Sequence, residues 1–230
     1  MTKLLTEKNF ESRAEASVAA ADDIAARLTT SLERDEQATV VLSGGTTPAQ
    51  CFEILSRKPL AWNRVQLVLS DERWVPSDHN DSNEKLLREK LQQNEARSAS
   101  ILSIYQDDLS ADERCDALQK QLPTNKFACS LLGMGTDGHF ASLFPDADNL
   151  LVGLDRESTR FYLPVRTTAS PHPRVSMTLA ALLRSDAILL LFFGKEKRAI
   201  FERAKAGDPS MPVSALLEQD DVPVTCYWAP

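Results

Sequence analysis

The sequence predicts an α/β protein: a doubly wound, mainly parallel sheet with helices on both faces. Three observations predict it. Short apolar or β-branched runs at 38–42, 65–69, 127–132 and 187–193 alternate with segments of helical spacing. These runs are apolar nearly throughout instead of alternating, as strands covered on both faces are. Several of them end in glycine or charged residues, at the place where such sheets bind ligands. Strand and helix in alternation imply right-handed crossovers, so the carboxyl ends of the strands share one edge.

Arg13 to Arg34 carries apolar residues at helical spacing and reads as an amphipathic helix. Ala38 to Leu42 reads as a buried strand. Ser43-Gly44-Gly45-Thr46-Thr47-Pro48 follows, then helical spacing from Ala49 to Leu55. Pro48 suits a first helical turn and a threonine suits the cap. Strand, glycine turn, hydroxyls and helix start together describe a cradle for an anion, although no Walker loop is completed. Val65 to Leu69 is the next strand. It runs into Ser70-Asp71-Glu72-Arg73, and charges at a strand end are costly to bury without a task. The polar run Ser77 to Asn83 reads as a loop with His79 on the surface. Helices are expected over Glu84 to Leu91 and Ala111 to Leu122.

A strand from Phe127 to Leu132 leads into the most informative stretch, Gly133-Met134-Gly135-Thr136-Asp137-Gly138-His139. Glycine permits positive φ and close backbone approach to a ligand. His139 stands between an acid and a glycine-rich turn, and imidazole titrates near neutral pH, so it is the candidate functional histidine. Ala141-Ser142-Leu143-Phe144 returns to packing residues and reads as a helix start. Asn149 to Arg160 reads as a loop and Phe161 to Val165 as a strand. Pro171 and Pro173 impose an extended approach that presents Arg174, ahead of a helix from Thr178 to Leu183. The buried strand Ala187 to Phe193 ends in Gly194-Lys195-Glu196-Lys197, before a helix to Ala206. A short helix at Pro212 to Leu217 and a strand at Val224 to Trp228 close the order. The polar strand ends 43–47, 71–73, 137–139 and 194–197 are expected to converge.

The 230 residues fit a single domain, 1–230. A net charge of −7 argues against a broad nucleic-acid or anionic-membrane surface. The apolar run from Ala187 to Phe193 is too short to cross a bilayer, and the first residues show no signal-peptide pattern. The four cysteines are scattered without a CxxC pair and read as reduced packing residues. With three separated histidines they offer no zinc set. No metal and no other cofactor is expected, and the cytoplasm is the expected compartment.

Five stretches together carry a resemblance. They are Leu42 to Pro48; Ser70 to Pro76 with Asp81-Ser82-Asn83; Gly133-Met134-Gly135 through Asp137-Gly138-His139 to Pro145; Pro171-His172-Pro173-Arg174-Val175 with Thr178; and Gly194 to Lys197. In this order they resemble the 6-phosphogluconolactonase family. The wider superfamily includes the glucosamine-6-phosphate isomerases, which share a modified Rossmann-like fold and the Asp-Gly-His turn. The isomerases carry a glutamate where this chain has Phe144, and Asp-Glu-Tyr where it has Asp71-Glu72-Arg73. Both departures favour the lactonase. Thr136 and Phe140 replace an acid and a threonine often seen in lactonases, and the stretch Cys226 to Pro230 lacks an acid often found there.

The resemblance implies hydrolysis of 6-phospho-D-glucono-1,5-lactone to 6-phospho-D-gluconate in the oxidative pentose phosphate route. It implies His139 as general base and then acid, with Asp137 orienting the imidazole or stabilising the imidazolium. Arg73 would contact the carbonyl oxygen or the phosphate. Asp71 would hold sugar hydroxyls or Arg73. Ser43, Gly44, Gly45 and Thr46 would bind the substrate, with Arg174 and Lys197 as cations for its phosphate. Lys195 fits the pattern less well than Lys197. The partner implied is the small phosphosugar lactone, with no nucleic acid and no membrane, for a monomer or homodimer. A serine nucleophile at Ser43 or Ser142 lacks the Gly-x-Ser-x-Gly elbow. The alternatives are an isomerase and a non-catalytic sugar-phosphate sensor; the sequence has no basic helix-turn-helix for the latter.

Overall fold

The computed structural model describes residues 4–123 and 125–230. The strands are β1 (Leu5–Asn9), β2 (Ala38–Leu42), β3 (Val65–Leu69), β4 (Asp71–Arg73), β5 (Ser100–Leu102), β6 (Cys129–Leu132), β7 (Tyr162–Val165), β8 (Arg174–Met177), β9 (Ile188–Phe193) and β10 (Val224–Ala229). The helices are α1 (Arg13–Arg34), α2 (Ala49–Leu55), α3 (Asn83–Lys90), α4 (Ala111–Gln121), α5 (Leu150–Leu154), α6 (Leu179–Leu182), α7 (Lys195–Lys205) and α8 (Val213–Glu218).

Seven strands form one sheet in the order β1-β10-β9-β6-β2-β3-β5, and every neighbouring pair is parallel. Every residue of β2 and β6 is buried, as is all of β9 except Phe193. Burial on both faces explains why these strands are apolar without alternation. Helix α1 lies against β2, β6, β9 and β10. Its buried stripe, Ala16, Ala20, Ala21, Ile24 and Leu28, is rich in alanine, which lets the helix approach closely. Ser12 caps it by accepting a hydrogen bond from the Glu15 N–H at 3.2 Å.

The winding reverses between β2 and β6. From β2 the chain steps outward to β3 and β5, then returns to the other side of β2 and proceeds through β6, β9 and β10. Crossover loops leave the two central strands in opposite directions, which opens a crevice at their carboxyl ends. The loops after β2 and β6 are the two glycine-rich stretches. The Ser43 N–H donates to the Leu131 carbonyl at 2.9 Å and ties them together.

A second, antiparallel sheet, β4-β8-β7, stands beyond the end of β3. The Met177 N–H donates to the Ser70 carbonyl at 2.7 Å. The sequence reading treats Asp71–Arg73 as a strand end and 161–165 as one more strand of an undivided sheet. Both instead belong to this small sheet, and Arg174 itself opens its strand β8. Its register sets Arg73 directly opposite Arg174.

Other expectations need correction. The edge strands β1 and β5 were not foreseen, because they are short, and β1 is largely polar. No helix starts after His139. Residues 140–149 form turns, with Ala141 at φ +48°, while α5 falls inside the span read as a loop. No threonine caps α2: Pro48 holds the cap position without a side-chain bond. No helix among the described residues is long and apolar enough to cross a membrane.

Candidate active site

One cavity lies at the reversal point. Nine of the ten residues singled out from the sequence line it: Ser43, Gly44, Gly45 and Thr46 after β2, Asp71 and Arg73 on β4, His139 after β6, Arg174 on β8 and Lys197 on α7. The tenth, Asp137, stands beside His139.

The turn after β6 is closed by two hydrogen bonds, Gly135 N–H to the His139 carbonyl at 2.9 Å and Gly138 N–H to the Gly135 carbonyl at 3.2 Å. Gly138 takes φ +79°, a conformation that favours glycine. The Asp137 Oδ1 accepts from the His139 N–H at 3.2 Å and lies 2.6 Å from its Nδ1. Gly135 makes room for this pair, since a Cβ there would sit 2.2 Å from the imidazole Nδ1. Burial works against the Asp137 carboxylate, yet the hydrogen bond and charge of His139 hold its pKa below the ordinary value. Phe144 packs against the same imidazole, its ring centroid 4.2 Å from that of His139.

The β4–β8 pairing builds the cationic wall. Arg73 Nη1 donates to the Asp81 carbonyl at 2.7 Å and to Asn83 Oδ1 at 2.9 Å. Asn83 in turn donates to the Asp71 carbonyl at 2.9 Å. Arg174 donates to Ser170 Oγ at 3.0 Å and to Ser142 Oγ at 3.3 Å, with Nη1 3.7 Å from Asp71 Oδ2. Asp71 also accepts from Ser70 at 2.9 Å and Ser142 at 2.6 Å, so its buried carboxylate is fully engaged. Burial lowers the pKa of Arg174, and Asp71 counteracts it. Burial likewise lowers that of Lys197, with Asp137 counteracting. Two arginines facing one another across a strand pair repel. An anion between them relieves that repulsion.

Two polar atoms of the lining are buried without a hydrogen-bond partner among the described residues, Ser43 Oγ and Arg73 Nε. Buried polar groups are nearly always paired, so unpaired ones at a cavity point to a ligand.

Glu72 has a different task. Its carboxylate accepts from the backbone N–H of Arg73, Asn83 and Glu84, each at 2.8 Å, and from Ser82 Oγ at 2.9 Å. It therefore closes the N-terminus of α3 and anchors Asn83. The lining also includes Thr47, Asn83, Gly133, Met134, Gly135 and Ala141, to which sequence reasoning gave no role. Asn83 was within reach, because it sits in the stretch Asp81-Ser82-Asn83 that carries the resemblance.

The histidines are not all separate in space. His79 and His172 rings lie 5.6 Å apart, with Asp81 Oδ2 3.1 Å from His172 Nε2 and 3.8 Å from His79 Nδ1. This corrects the reading of three separated histidines that offer no zinc set. The four cysteines are buried and free. Burial pushes the thiols of Cys51, Cys115 and Cys129 up to about 12, which makes them poor nucleophiles.

Residues 11–228 match the family described as glucosamine-6-phosphate isomerases/6-phosphogluconolactonase. A 6-phosphogluconolactonase of Mesorhizobium japonicum is 38% identical over 224 residues, covering 96% of this chain and 94% of that protein. One of Caulobacter vibrioides is 39% identical over 223 residues, covering 96% and 95%. The crystal structure of a 6-phosphogluconolactonase from Shewanella baltica superposes with a TM-score of 0.93 at 32% identity, covering 98% of each chain.

Proposed function

The chain belongs to the glucosamine-6-phosphate isomerase and 6-phosphogluconolactonase family, and we propose that it hydrolyses 6-phospho-D-glucono-1,5-lactone to 6-phospho-D-gluconate. The observation that carries the reading is one cavity holding both an Asp137–His139 pair and the opposed cations Arg73 and Arg174. The first is a base; the second calls for an anion.

In this reading Asp137 holds His139 Nδ1, which leaves Nε2 to take a proton from water. The water oxygen bonds to the lactone carbonyl carbon, and the carbonyl π electrons move to oxygen. The guanidinium of Arg73 stabilises that oxyanion. When the oxyanion collapses, the bond to the ring oxygen breaks, and the imidazolium returns its proton to the leaving alkoxide. No group beyond water is consumed. The phosphate lies against Gly44, Gly45 and Thr46 with Ser43 beside it, and Arg174 and Lys197 supply charge. Helix α2 has only seven residues, so the loop and the cations, not the helix dipole, carry this site. The buried Asp71 positions Arg174 through Ser142 and their ion pair. An isomerase needs a carboxylate where Phe144 stands. We assign the enzyme to the cytoplasm and to the oxidative pentose phosphate route.

The deciding experiment measures lactone hydrolysis against the spontaneous background. Wild type should exceed it clearly. His139→Gln should lose roughly two to four powers of ten in turnover while binding 6-phosphogluconate nearly as before. A wild type no faster than background overturns the function; an undiminished His139→Gln overturns the base.

A further inference from the structure

We propose that His79, Asp81 and His172 form a binding site for one divalent transition-metal ion of the zinc class, outside the substrate cavity. One ligand atom from each lies within 4.8 Å of the others. Two imidazoles and one carboxylate are a donor set suited to zinc, cobalt or nickel and ill-suited to magnesium or calcium. Zinc–nitrogen distances of ~2.0–2.1 Å in a tetrahedral site place neighbouring ligand atoms roughly 3.3–3.4 Å apart. The observed 3.1 Å and 3.8 Å from Asp81 Oδ2 to the two imidazoles bracket that value. Small side-chain rotations complete the site.

The ligands are held by their backbones. The His79 N–H donates to the Pro76 carbonyl at 2.9 Å, and the Ser82 N–H to the His79 carbonyl at 3.0 Å. His172 stands between two prolines, which restrict the chain on both sides. The Trp74 N–H donates to the Pro173 carbonyl at 2.8 Å, so the two segments are already tied beside the cluster. His79 Nδ1 accepts the Asp81 N–H at 3.1 Å, and an ion at that nitrogen displaces this one weak contact. The cluster is solvent-facing and no member lines the cavity, so coordination positions stay open to water. A bound ion would join the segment that holds Arg73 through the Asp81 carbonyl to the segment that delivers Arg174. It acts as a brace between the two cationic strands and takes no part in the chemistry.

The test does not depend on the reaction. Protein dialysed against a chelator is titrated with zinc by calorimetry, and cobalt is added to a second sample for proton NMR of the imidazoles. One zinc per chain is expected, with cobalt broadening His79 and His172 before His139. His79→Gln and His172→Gln should each weaken zinc binding about tenfold or more; His139→Gln should leave it unchanged. Circular dichroism establishes that the variants are folded. Absence of zinc binding by wild type, unchanged affinity in the His172→Gln protein, or loss of binding in His139→Gln would each overturn the site.

Discussion

The ring of Phe144 lies 4.2 Å from that of His139, tilted by 35°, and the guanidinium carbon of Arg174 lies 5.2 Å from the same ring. One apolar side chain thus packs against both the proposed base and a proposed phosphate cation. It is 4% exposed, so what replaces it must be accommodated in a nearly closed space.

Phe144→Glu should therefore not convert the enzyme into an isomerase. The buried carboxylate loses the ring packing and gains a partial partner in Arg174, for an expected loss of roughly 1–3 kcal/mol. Denaturant unfolding checks the loss of stability, and an assay for ammonia release from glucosamine 6-phosphate checks the activity. A variant as stable as wild type would count against the packing role, and release of ammonia would overturn the expected lack of isomerase activity.

Gly135→Ala should separate Asp137 from His139. The added Cβ would lie 2.2 Å from Nδ1 and 2.4 Å from Asp137 Oδ1, so the pair must move. Misplacing a catalytic group by about 1 Å costs about a hundredfold in rate, and kcat should fall by that order with KM changed far less. Steady-state kinetics on the folded variant provides the check; near-normal kcat would mean that the pair is dispensable.

Lys197→Ala and Arg174→Ala should differ. Both remove a proposed phosphate cation, and a charge-assisted contact of roughly 1.5–3 kcal/mol means at least about a tenfold rise in KM. Arg174→Ala also strips Asp71 of its ion pair and takes a hydrogen-bond donor from Ser142 and from Ser170, so it should lower the melting temperature as well. Arg174→Lys should recover stability better than affinity, because lysine lacks the planar fork. If Lys197→Ala binds 6-phosphogluconate as tightly as wild type, the lysine is no phosphate ligand.

Lys197 should report occupancy through its titration. Burial depresses its pKa from the ordinary value. Folding thus disfavours the charged amine, and this penalty is relieved as pH rises through the depressed pKa toward the unfolded value of about 10.4. A phosphate reverses the balance by favouring the ammonium, so 6-phosphogluconate should raise the pKa. NMR titration of the lysine side chain with and without the ligand checks the sign; no upward movement would remove Lys197 from the site.

Glu72→Gln should damage stability more than chemistry. Three backbone donors and one hydroxyl converge on its carboxylate. An amide offers one acceptor oxygen and turns two donors toward the remaining N–H groups, for an expected loss of about 2–4 kcal/mol. Denaturant unfolding should show this loss; a variant as stable as wild type would mean that the carboxylate does not hold α3.

The sequence by itself determined the inner strands of the large sheet and the edge where ligands gather. Ala38–Leu42, Cys129–Leu132 and Ile188–Phe193 are apolar because both faces are covered. A parallel sheet then brings Ser43, His139 and Lys197 to one edge without further information. The two-residue spacing of Asp137 and His139 was legible too, but only the folded turn shows their contact. Tertiary structure alone decided the rest. Arg73 meets Arg174 through two short strands whose residues carry no periodicity of their own, so only the long-range register of the second sheet brings them together. His79 and His172 meet for the same reason, being carried to one point by segments that look like separate polar loops. Local signals reach a few residues along the chain. A contact across about a hundred residues is chosen by backbone hydrogen bonding and burial between elements, and those are settled only when the chain is folded.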